Sequence, residues 1–64
     1  MPKRSVLIIK KEDENVVSVE EINLDGLNYD PNDEEFFDLA WQNVVEDKLV
    51  NNEDRDKHII RFND

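Results

Sequence analysis

Phe37, Ala40, Trp41, Val44 and Val45 recur at i, i+3, i+4, i+7 and i+8. That spacing lines one face of a helix and fits no strand, whose side chains alternate every second residue. It predicts an amphipathic helix over about residues 31–50. Asp30 before Pro31 reads as N-cap and first helical residue, with Asp33 as an alternative cap. Outside this segment the apolar residues fall into short β-branched blocks. "SVLIIKK" predicts a strand at about 5–11, "VVSVEEINL" one at about 16–24, and "KHIIRF" one at about 57–62. The polar turn Glu12 to Asn15 is short enough for an antiparallel hairpin. "NNEDRD", Asn51 to Asp56, ends the helix.

The order is therefore β-β-α-β, an α+β fold with a three-stranded sheet and one helix packed on one face. A right-handed crossover through the helix places the third strand parallel to the second, on the far side of the first. The first strand is then central, which suits its unbroken apolar run "VLII", Val6 to Ile9. Trp41 is expected in the core against Leu7 or Ile9. The second and third strands remain as edges, and the uncovered sheet face would hold the remaining valines and isoleucines.

Sixty-four residues make one domain, residues 1–64. A chain of this size buries only about 60% of the surface its unfolded form exposes. It has no cysteine, so neither a disulfide nor a thiolate metal site assists folding. The apolar run Val6 to Ile9 is far shorter than a signal sequence or a membrane span requires. These features fit a cytoplasmic protein with no membrane partner.

Charge is distributed unevenly. Residues 1–11 carry Lys3, Arg4, Lys10 and Lys11 and no acid. Residues 12–47 carry thirteen acids and neither Lys nor Arg. Residues 48–64 balance four acids with four bases, so the net charge of −9 resides in the middle of the chain. Solubility is one reason for such a charge. Solvated helices, however, usually interleave Glu with Lys, because each i,i+4 pair contributes about 0.2–0.5 kcal/mol. This helix forgoes those pairs until Lys48.

Catalysis finds little material here. The chain has one histidine, His58, two serines, and no threonine or cysteine. His58 reads as a strand histidine at a sheet edge or surface. A two-carboxylate mechanism needs a cleft, which one helix on three strands hardly forms. No enzyme and no cofactor are expected. "DPNDEE", Asp30 to Glu35, alternates oxygen ligands as a calcium loop does, but Glu35 stands where the sharp turn needs glycine. A helix cap explains the same residues, and no metal site is expected. Direct nucleic-acid binding fails on charge, since affinity for phosphate comes from Lys and Arg.

Protein binding remains. Glu35, Asp38 and Glu46 fall opposite the apolar face, together with Gln42, and Asp33 and Glu34 extend this acidic surface at the helix start. Phe36 and Tyr29 are the candidate aromatic anchors, with Phe36 on the flank of the apolar face. With Leu39 they would form a patch edged by Asp33, Glu35 and Asp47. The expected partner is a basic protein, such as a nuclease or another nucleic-acid-binding protein, in the manner of small inhibitors and antitoxins that imitate phosphate charge. The alternative is a homodimer or other homo-oligomeric accessory protein that uses its open sheet face or an edge strand.

Overall fold

The computed structural model describes residues 3–63. Strands β1 (Lys3–Lys10) and β2 (Val16–Asn23) form a hairpin. Helix α1 (Asp33–Glu46) follows, then a 3-10 segment (Asn52–Lys57) and strand β3 (His58–Phe62). The sheet order is β2-β1-β3, and both neighbours run antiparallel to β1. Strands β2 and β3 are therefore parallel to one another on either side of β1. This is the β-β-α-β order and the strand arrangement that the sequence predicts.

The run "VLII" is apolar at every position, so it carries no phase of its own. Packing supplies the phase. Val6 and Ile8 are fully buried in one cluster with Ile22, Phe36, Ala40, Trp41 and Val44. Leu7 and Ile9 lie on the other side of the sheet, because side chains alternate along a strand. The expected contact of Trp41 with Leu7 or Ile9 is thus corrected: Trp41 joins Val6 and Ile8. From β3, Ile60 pairs with Ile8 and Phe62 with Val6, which brings both to the helix side. Paired residues in an antiparallel ladder point the same way. Each fully buried aliphatic side chain contributes about 1.5–3 kcal/mol. In a domain whose total stability is about 5–15 kcal/mol, so few residues decide whether the chain folds.

Strand β2 alternates imperfectly in sequence, and a bulge explains it. Ile8 pairs with Ser18 but Ile9 pairs with Val16, so Val17 is the extra residue. Val17 packs against the core, while Val16 and Val19 share the open face with Ile9 and Leu7. Simple alternation would put Val17 with Val19 and Glu21, and Val16 with Ser18, Glu20 and Ile22; the bulge exchanges the faces of the two valines. On the helix side of β2, Ser18 donates a hydrogen bond to the Glu20 carboxylate, so the half-buried polar residues there satisfy each other.

The helix is shorter than the predicted span of about 31–50. Asn32 is its N-cap, with Oδ1 accepting from the Glu35 backbone N–H at 3.0 Å, in place of Asp30 or Asp33. Starting there puts Asp33, Glu34 and Glu35 all within the first turn, where the helix dipole favours carboxylates. At the other end Lys48 adopts a left-handed φ of 62°. The Leu49 N–H then bonds the Val44 carbonyl and the Lys48 N–H the Val45 carbonyl, both at 3.0 Å. This pair of bonds is a Schellman motif, and it turns the chain away after Glu46. Val50 returns to pack against the core.

The 3-10 segment is fastened to the helix. The Trp41 Nε1–H donates to Asn52 Oδ1 at 3.2 Å, so the buried indole keeps its one polar atom satisfied. The His58 ring lies 5.2 Å from the Trp41 ring, and its Nδ1–H donates to the Asp54 carbonyl at 2.9 Å.

Candidate functional site

Helix α1 presents Glu34, Asp38, Gln42 and Glu46 to solvent at every fourth position. An i,i+4 row climbs the helix at about 6 Å per step and drifts about 40° around it each time, so Glu34 and Glu46 stand about 120° apart on the outer side. The row is outward because Phe36, Ala40, Trp41 and Val44 fill the inward arc. Asp33 is exposed at the helix start, and Asp47, the C-cap, is exposed at its end. The helix itself has no basic residue. Of the predicted acidic surface, Asp33, Glu34, Asp38 and Glu46 are exposed on the outer side of α1, with neutral Gln42 between the last two, whereas Glu35, expected in the outward row, is corrected to a half-buried position.

Two of its carboxylates are engaged within the fold. Asp38 Oδ1 accepts from Arg55 in the 3-10 segment at 2.6 Å, with both side chains about half exposed. An exposed ion pair of this kind contributes about 0.2–1 kcal/mol and leaves much of the carboxylate in solvent. Glu35 is half-buried, and its Oε2 accepts the Tyr29 hydroxyl at 3.1 Å. That hydrogen bond, and then the Glu35 charge, hold the Tyr29 phenol above its ordinary pKa. Glu34 and Glu46 make no ion pair with the described residues.

The aromatic anchors separate. Tyr29 is 54% exposed, at the edge of the acidic surface, as expected. Phe36 is only 4% exposed and packs edge-on against Phe62 with ring centroids 5.8 Å apart. The expectation that Phe36 lies on a wet flank is corrected: it is a core residue. Phe37 is half-buried and also meets Phe62, at 4.8 Å. The sequence contains the reason, since Phe36, Ala40 and Val44 are themselves an i, i+4, i+8 row. The choice between that row and the one through Phe37 depends on how the helix seats on Val6, Ile8 and Ile22 of the sheet, since Phe62 meets both rings. Leu39 is half-buried against the core, so the proposed patch of Phe36, Tyr29 and Leu39 reduces to Tyr29.

Arg55 is the residue that the sequence reading misses. In sequence it is one base inside an acidic turn. Its contact with Asp38, 17 positions away, exists only because the 3-10 segment folds back along the helix. Most of the remaining bases gather elsewhere. Lys10, Lys11, Lys57 and His58 line a depression at one end of the sheet together with Glu12, Asp54 and Asp56, and Lys48 lies beside it. Several are already engaged there: Lys57 meets Asp54 at 3.5 Å, and Lys11 Nζ donates to the Asp56 carbonyl at 2.7 Å. His58 stands in edge strand β3, half-buried, as the sequence reading places it.

Among the described residues no helix is long and apolar enough to cross a membrane. Compared with protein-family models, with curated proteins and with solved structures, the chain matches none at significance.

Proposed function

We propose that this protein is a binding module whose acidic helix surface docks on the basic surface of another protein. The occupied surface would be one that otherwise holds nucleic acid, as in a nuclease, so that binding inhibits. The observation that carries this reading is the charge density of α1. Five carboxylates in fourteen residues average about one per 4 Å of helix axis, with four of them crowded into residues 33–38 and the fifth at Glu46. One strand of duplex DNA carries about one charge per 3.4 Å. A protein surface that attracts phosphate would meet a similar line of charge here, and long-range attraction would speed the encounter. Tyr29 at the edge supplies an aromatic contact of a kind enriched in interfaces.

The test uses the triple variant E34K/Q42K/E46K. All three positions are exposed, and the variant leaves both Asp38–Arg55 and Glu35–Tyr29 in place. Wild type and variant are used for affinity capture from the native host at low and high salt. The expected result is a basic protein retained by wild type at low salt, lost at high salt, absent from the variant, and released by added duplex DNA. Equal retention by the variant at low salt would remove the acidic helix surface as the binding site.

A further inference from the structure

The helix covers one face of the sheet and leaves the other bare. On the bare face Leu7 and Ile9 of β1 lie between Val19 and Val16 of β2 and Arg61 and Ile59 of β3. Val16 is 54% exposed, Val19 51% and Ile59 39%. Ile9, Val16, Ile59, Arg61 and Glu14 line a shallow depression there. Val16, Val19 and Ile59 thus stand exposed around the half-buried Leu7 and the buried Ile9, in contiguous register, in a domain with few aliphatic side chains to spare. The charged groups of this face differ in kind from those of the helix. Glu21 lies on β2, opposite Ser5, and Arg61 lies on β3, opposite Leu7. With Glu14 at the rim and Lys3 two residues before Ser5 on β1, this face carries two acids and two bases, where the helix surface carries acids alone.

We propose that this face binds a second copy of the chain, making a back-to-back dimer with the two acidic helices facing outward. A twofold axis along the strands lays β3 of one copy over β2 of the other. Ile59 then covers Val16, and Arg61 covers Val19 with its aliphatic stem while its guanidinium reaches Glu21, about 7 Å farther along the strand. Each of these contacts occurs twice, because a twofold interface is self-complementary. A basic partner would be drawn to the helix surface, whereas this face carries balanced charge and suits a copy of itself. The area sets the strength. A standard interface buries about 800 Å² per partner. That is about a sixth of this molecule's 4615 Å² of accessible surface. Three strands at about 4.8 Å spacing give a smaller footprint, so the dimer is weak and concentration-dependent. Two copies of a chain with net charge −9 also repel each other. Salt therefore strengthens this contact by screening that repulsion, and it weakens the contact of the acidic helix with a basic partner. The inference is independent of the function proposed above, and the opposite sign of the salt effect separates the two.

The experiment is sedimentation equilibrium on the chain alone, from about 10 µM to about 1 mM, at about 50 mM and about 500 mM NaCl. The expected result is a monomer–dimer equilibrium that tightens at the higher salt. V19K and R61E should each raise the dissociation constant at least tenfold while far-UV circular dichroism stays unchanged. The exchange E21R/R61E should recover most of what R61E loses. A chain that is monomeric throughout at the higher salt would overturn the proposal. So would a dimer that V19K and R61E leave intact, because its contact would then be an edge strand or the helix.

Discussion

The two faces of the sheet are built from the same residue types, and only one of them is a core. Val6 and Ile8 on one side are fully buried, whereas on the other Val16, Val19 and Ile59 are between 39% and 54% exposed around Ile9, which is 7% exposed. β-Branched residues at alternating positions give a strand its conformation on either side. Burial, and hence stability, comes from what lies over them: Phe36, Ala40, Trp41 and Val44 on one side, solvent on the other. Apolar content alone therefore does not reveal which positions hold the fold together. The covered face accounts for stability, and the bare face is the one proposed for association.

Truncation on the two faces should break or uphold that comparison most directly. Ile8→Ala and Trp41→Ala remove buried side chains from the covered face and should cost about 2–5 kcal/mol each, enough to leave little folded protein. Val19→Ala on the bare face should cost less than about 1 kcal/mol in a dilute, monomeric sample. Urea unfolding with tryptophan fluorescence measures Ile8→Ala and Val19→Ala, and circular dichroism serves for Trp41→Ala. Equal losses on the two faces would end the distinction.

A smaller effect should come from the end of the helix. Lys48 holds a left-handed φ of 62°, which costs a residue with a Cβ about 1–2 kcal/mol. Glycine adopts it freely but loses more entropy on folding. Lys48→Gly should therefore stabilise the domain by about 0.5–1 kcal/mol, a rise in Tm of several degrees for a chain of this size. Because the change strengthens only the helix that covers one face, sedimentation should show the same self-association as wild type. A fall in Tm would mean that the Schellman turn does not carry the helix end.

The subtlest change concerns the outer side of the helix. Tyr29 is the only tyrosine, so its phenolate absorbance titrates alone. The hydrogen bond to Glu35 and the Glu35 charge raise its pKa, so Glu35→Gln should lower it toward the ordinary value. The folded state holds this proton more tightly than the unfolded state. The stabilisation is therefore fully present below the unfolded phenol pKa and is lost as pH rises through the folded one. If ultraviolet titration of wild type and Glu35→Gln coincide, the Tyr29–Glu35 contact is not held in solution, and Tyr29 is a free aromatic side chain beside the acidic row.

What the sequence determined by itself was local. The i, i+4 apolar spacing made the helix, the β-branched blocks made the strands, and one short turn and a right-handed crossover led to the order β2-β1-β3. The outward placement of Asp38, Gln42 and Glu46 followed from the same helical period. Phase and pairing were decided only by tertiary packing. "VLII" is apolar throughout, so the choice of Val6 and Ile8 over Leu7 and Ile9 waited for the helix to settle on one side. Phe36 and Phe37 each belong to a helical apolar row, and the phase in which the helix packs on Val6, Ile8 and Ile22 set Phe36 in the core. Asn32 competed with Asp30 and Asp33 as nearly equal caps. Arg55 met Asp38 across a chain separation that no local rule encodes. Periodicity acts within a few residues and can be read along the chain. Burial depends on which distant side chains share the same space, and that is set only when the elements pack.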